Sequence, residues 1–168
     1  MFTAETIQAG SKADFYTELT RQLRALLTGE RDWLANLANT AALVWGGLPD
    51  LNWAGFYLWR GGELVLGPFQ GKPACVRIAA GRGVCGTAVA ERRSQVVADV
   101  HAFPGHIACD AASRSELVVP LLRGEGEILG VLDLDSPQPG RFDEEDRAGC
   151  EALVAVLMEA TDFAAEFR

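Results

Sequence analysis

The hydrophobic period of this chain changes once, at Leu51, and the change dictates the order in which helices and strands can follow one another. Before it, Phe15, Leu19, Leu23 and Leu26 recur at helical spacing. Leu34, Leu37, Ala38 and Ala41 form a second stripe after the Thr28-Gly29 break, with Thr28 placed to cap it. After it the period is two. Residues 52–60 (NWAGFYLWR), the turn Gly61-Gly62 and residues 63–67 (ELVLG) read as a β-hairpin. Further strands are expected at 75–79, 95–98, 116–123 and 127–135, with a short helix at 86–92 between the first two. Beyond Pro137 and Pro139, the acids Asp143, Glu144, Glu145 and Asp146 suit a helix N-terminus, and Leu153, Val156, Leu157, Ala160 and Ala164 supply its apolar stripe. Helices bracketing a mainly antiparallel sheet define one α+β domain over residues 1–168.

A chain of 168 residues can bury roughly two thirds of its unfolded surface without covalent staples. Its four cysteines are therefore available for chemistry. The N-terminus has neither a basic start nor a continuous apolar stretch, so no signal peptide is expected and the thiols belong in a reducing cytoplasm. No run approaches the ~18 apolar residues of a membrane span. With 15 basic against 23 acidic residues and a formal charge of -8, the chain has no positive surface suited to nucleic acid.

Within 52–60 the alternation puts Trp53, Gly55, Tyr57 and Trp59 on one face and Ala54, Phe56 and Leu58 on the other. Two aromatics flanking a glycine suit the wall of a small pocket, with bare backbone open to a ligand; they equally suit packing beneath a covering helix. In residues 131–136 (VLDLDS), Asp133 and Asp135 share a face about 7 Å apart and repel unless a cation or solvent separates them. Glu116 opens an apolar strand and needs a partner or exposure.

The run 81–86 (GRGVCG) has the form of a dinucleotide fingerprint, with Asp99 near the usual offset. Arg77 in the preceding strand and the shortness of the following helix speak instead for a tight loop whose glycines permit close packing. Cys75, Cys85, His101, His106 and Cys109 match no usual zinc spacing, so no metal is expected. Thiol chemistry fits better: Cys109 follows Phe103-Pro104-Gly105 beside Asp110 and Arg114, and Cys85 lies near a helix N-terminus, where the dipole lowers a thiol pKa. Cys150 reads as a buried apolar residue of the last helix.

The segments NWAGFY, ACVRI, GRGVCGTAVA, DVHAFPGHIACDAASRSE and GVLDLDS, in this order, resemble the free methionine-(R)-sulfoxide reductases, a catalytic branch of the GAF-domain superfamily. The resemblance implies a GAF fold with about six strands and reduction of the free amino acid's R-sulfoxide. It implies Cys109 as the catalytic thiol, Cys75 as the principal resolving thiol and Cys85 as an auxiliary one, with Trp53, Tyr57, Glu116, Asp133 and Asp135 recognising substrate. It further implies no bound cofactor, thioredoxin as the external reductant, a cytoplasmic setting and frequent homodimers. A GAF module that senses a small ligand without turnover is the alternative, and the cysteine trio argues against it.

Overall fold

The computed structural model describes residues 2–106 and 110–163. Among them, helices α1 (Lys12–Leu26) and α2 (Trp33–Gly47) lead into strands β1 (Trp53–Arg60), β2 (Glu63–Gly71) and β3 (Arg77–Ala79). Helix α3 (Gly83–Glu91), strand β4 (Gln95–Val97) and a short 3-10 turn (Val100–Ala102) precede β5 (Ser115–Arg123), β6 (Glu127–Ser136) and helix α4 (Glu144–Ala160). All strand pairs are antiparallel, in the order β3-β2-β1-β6-β5-β4. The edges are strands of three residues each, a length that leaves little unpaired backbone for another chain to join.

The strict period of two along β1 divides the interior. Ala54, Phe56 and Leu58 enter one cluster with Leu132 and Leu134, covered by α2 and α4, with α1 packed on α4. Trp53 and Tyr57 enter the other with Val84, Cys85, Ala88 and Val89 of α3. The α+β expectation thus holds, with three helices on one face and one on the other.

Local boundaries shift for identifiable reasons. Asp32, rather than Thr28, caps α2, accepting from the Ala35 N–H at 2.9 Å. Thr28 instead donates to the Arg24 carbonyl and closes α1, and Gly29 then turns the chain with φ 82°. Leu34 consequently faces solvent, while Leu37, Ala41 and Val44 are buried. The acid-rich start of α4 forms a capping box between Asp143 and Asp146. Helix α3 starts three residues before the expected position and β3 is confined to three residues, leaving Cys75 and Val76 in the connection before it.

Candidate active site

Sheet register assembles the site. Across β1, β6 and β5, Trp53 pairs with Asp135 and Asp135 with Glu116; the next row on the same face is Gly55, Asp133 and Val118, and the third is Tyr57, Val131 and Pro120. One face therefore carries two aromatics on β1 beside three acids on β6 and β5. Asp135 and Glu116 lie directly opposite each other, an arrangement that costs stability when both are charged. Helix α3 closes the other side. Together they bound a cleft of about 550 Å³, open mouth included, whose walls bear all five of the expected substrate residues as well as Cys85.

The aromatic wall is a stack. Trp53 lies 5.7 Å from Tyr57 and 5.2 Å from Phe69, centroid to centroid, in near-parallel planes. Gly55 contributes differently from the expected bare ligand-facing backbone: a Cβ there would collide with Phe69 and with the indole of Trp53. The absent side chain makes room for the stack, not for a ligand. Trp53 Nε1–H donates to the Lys72 carbonyl at 3.2 Å, and the Tyr57 hydroxyl donates to the Cys75 carbonyl at 3.0 Å, so both rings are anchored to the loop that carries Cys75.

The acids are held without a cation beside them in the described contacts. Glu116 and Asp133 are both 6% exposed, and Asp133 Oδ1 meets no hydrogen-bond donor among the described residues. Burial pushes Glu116 well above the usual carboxyl range, with the charges of Asp133 and Asp135 adding to the shift. Burial likewise lifts Asp133 to about 6 against the pull of hydrogen bonds from Cys85 and Glu116. Asp135 is raised by burial and then by Asp133, with the Ser113 hydroxyl partly offsetting. Such a cluster resists full ionisation, which would place three charges in one low-dielectric pocket.

Cys85 runs against its sequence reading. It is the third residue of α3, yet burial and the charges of Asp133 and Glu116 push its thiol well above the ordinary value. Its Sγ lies 3.8 Å from Glu116 Oε1. Here three acids and a buried setting outweigh a short helix dipole. Cys75 is engaged in a disulfide, whereas Cys85 and Cys150 are free thiols. Cys109 lies outside the described residues.

The run 81–86 packs as a tight loop. Gly81 N–H donates to the Gly86 carbonyl at 2.8 Å, and a Cβ on Gly86 would strike the Ala79 carbonyl. The preceding strand is an antiparallel edge, which removes the dinucleotide reading. What the loop does supply is the N-terminus of α3: Arg82 caps without a side-chain hydrogen bond, and Arg82, Gly83 and Val84 line the cleft.

The contacts at the mouth of the cleft carried no sequence signal. Lys72 reaches Asp110 at 3.3 Å, and Asn52 donates to Asp110 at 3.2 Å and to Ser113 at 3.0 Å. These contacts tie the loops at the mouth together across separations of 38 to 61 residues, which no local pattern reveals.

A curled antiparallel sheet with a ligand-sized cleft under one helix is the architecture of a small-molecule GAF domain, and the model of that family, described as "GAF domain", matches residues 42–161. The free methionine-R-sulfoxide reductase of Escherichia coli is 56% identical over 156 residues, covering 91% of this chain and 94% of that protein. The enzyme of the same name from Saccharomyces cerevisiae is 40% identical, covering 91% and 89%. The crystal structure of free methionine-R-sulfoxide reductase from Neisseria meningitidis in complex with its substrate superposes with a TM-score of 0.90 at 46% identity, covering 95% of each chain. The chain belongs to the GAF-domain family and, within it, to the free methionine-R-sulfoxide reductases.

Proposed function

We infer that the cleft binds free L-methionine-(R)-sulfoxide and that the chain reduces it to methionine by cysteine chemistry. The observation that carries this reading is the acid trio Glu116, Asp133 and Asp135, the first two buried, in which Asp133 Oδ1 lacks a donor among the described residues. A free amino acid brings an ammonium group to supply one; a peptide-bound residue does not, and would leave the acids unpaired. Trp53 and Tyr57 border the methyl group and stem. The uncapped first turn of α3, at Gly83 and Val84, suits the substrate carboxylate without a basic side chain.

Cys109, as thiolate, attacks the sulfoxide sulfur while a carboxylic acid protonates the departing oxygen, leaving methionine and a sulfenic acid on Cys109. Glu116 is the assigned donor, because burial and the charges of Asp133 and Asp135 favour its protonated form. Asp133 and Asp135 hold the ammonium. The thiol of Cys75 then condenses with the sulfenic acid, forming the disulfide and releasing water. The disulfide at Cys75, set against free thiols at Cys85 and Cys150, supports Cys75 as the resolving residue. Cys85, its pKa raised, serves as an auxiliary thiol. A dithiol protein of the thioredoxin type restores the reduced enzyme in the cytoplasm, and two protomers pair as a homodimer. No helix among the described residues is long and apolar enough to cross a membrane.

The test offers resolved R and S epimers of free and peptide-bound methionine sulfoxide, with thioredoxin recycling, to wild type and variants. Turnover of the free R epimer alone is expected, abolished in Cys109→Ser and limited to one turnover in Cys75→Ser. Comparable activity on peptides, or steady turnover by Cys109→Ser, overturns the reading.

A further inference from the structure

Of the three cysteines in the proposed reaction, the one with the smallest part stands where the acids converge. Cys85 Sγ, a Glu116 oxygen and an Asp133 oxygen all lie within 4.8 Å of one another, and all three residues are buried. They come from α3, β5 and β6, 31 and 17 residues apart in the chain. The close spacings by which zinc sites are recognised in sequence do not describe them. Of the set weighed on such grounds, Cys75, Cys85, His101, His106 and Cys109, only Cys85 belongs to this group: Cys75 is in a disulfide, and His101 pairs with Asp99 at 3.0 Å.

We propose that Cys85, Glu116 and Asp133 form a binding site for a thiophilic divalent cation of the Zn²⁺ class, with water from the cleft completing its coordination. A second observation, independent of the cluster's composition, points to a ligand: Asp133 is 6% exposed and its Oδ1 is without a hydrogen-bond donor among the described residues. The donor chemistry selects the ion. One sulfur with two carboxylate oxygens suits Zn²⁺, whereas Ca²⁺ and Mg²⁺ demand six or more oxygens and reject thiolate. Tetrahedral bond lengths place neighbouring S and O donors about 3.5 Å apart. The Cys85 to Glu116 distance of 3.8 Å is already close to that, so small side-chain rotations suffice. Each of the three lines the cleft, which gives the ion a route from solvent. On binding, the thiol proton of Cys85 passes to solvent and the sulfur–metal bond replaces it.

The ion would occupy Asp133, assigned to the substrate ammonium, and Glu116, the assigned proton donor, so metal and substrate exclude one another. That consequence rests on the substrate reading; the metal site does not.

The experiment uses oxidised protein, in which Cys75 is in its disulfide and Cys85 is a free thiol, with no reductant or substrate present. Titration with Cd²⁺ is followed by the thiolate-to-metal absorption band, and bound Zn²⁺ is counted by equilibrium dialysis. One ion per chain is expected in wild type and in Cys150→Ser, with the band lost in Cys85→Ser. Asp133→Asn should weaken binding roughly tenfold or more. Absence of bound metal, a band that survives Cys85→Ser, or a band that disappears in Cys150→Ser overturns the proposal. Should Cys85→Ser fail to fold, unchanged affinity in Asp133→Asn overturns it alone.

Discussion

Buried acids sit on opposite faces of the sheet, and they are handled in opposite ways. On the helical face, Asp146 is 1% exposed and fully compensated: it accepts from Lys12 at 2.6 Å, from the Tyr16 hydroxyl at 2.8 Å, from Arg141 at 3.2 Å and from the Asp143 N–H at 3.0 Å. These contacts tie α1 to the first turn of α4. On the cleft face, Glu116, Asp133 and Asp135 repel one another, and an oxygen of Asp133 has no donor. A buried charge with a complete set of partners is architecture; one left incomplete is a place for something that arrives later.

The comparison breaks most sharply if the cleft acids prove structural. Glu116→Gln should lower kcat by roughly 10²–10⁴ by removing the proton donor, while denaturant unfolding shows stability unchanged or improved. A loss of stability with activity retained would reverse the assignment. Asp146→Asn should do the reverse, costing about 3 kcal/mol because Lys12 and Arg141 lose their shared counter-charge and an amide nitrogen, itself a donor, replaces one of the two acceptor oxygens, with activity per folded molecule intact. Both quantities come from urea titration combined with single-turnover rates.

The pH dependence sharpens the contrast. Burial raises Asp133 from 3.8 to about 6, so the native state binds that proton more tightly than the unfolded chain. The associated stability is fully present below about pH 4 and is lost as pH rises through 6, a difference on the order of 3 kcal/mol. Asp143 behaves oppositely. Its hydrogen bond from Lys12 and the Asp146 N–H hold it at about 2, so its contribution exists above pH 4 and disappears on acidification. Asp133→Asn should therefore melt above wild type at pH 8 and converge with it near pH 4, in scans without substrate; a gap that widens toward acid would sink the argument. The smallest effect concerns the aromatic wall. Gly55→Ala should cost about 1–3 kcal/mol through overpacking against Phe69 and Trp53, and should raise KM more than it lowers kcat.

Much of this was readable before the fold was known. The period-two run of β1 already separated Trp53 and Tyr57 from Phe56 and Leu58, and the two clusters follow that division. Asp133 and Asp135 shared a face for the same reason. Caps were less readable: Thr28 and Asp32 are both competent, and the choice between them depended on where Gly29 turned the chain. The dipole argument for Cys85 also went astray, since it took account of the helix but not of the acids that β5 and β6 bring beside it.

Alternation, turn residues and capping chemistry act over a few residues, so the chain alone determined its elements, their faces and the identity of the groups able to do chemistry. Register acts between residues far apart. Only the pairing of β1 with β6 and β6 with β5 set Trp53, Asp135 and Glu116 in one row and drew Cys85 against them. Burial at that junction then decided which acids keep their protons, because desolvation belongs to the packed molecule and to no residue by itself.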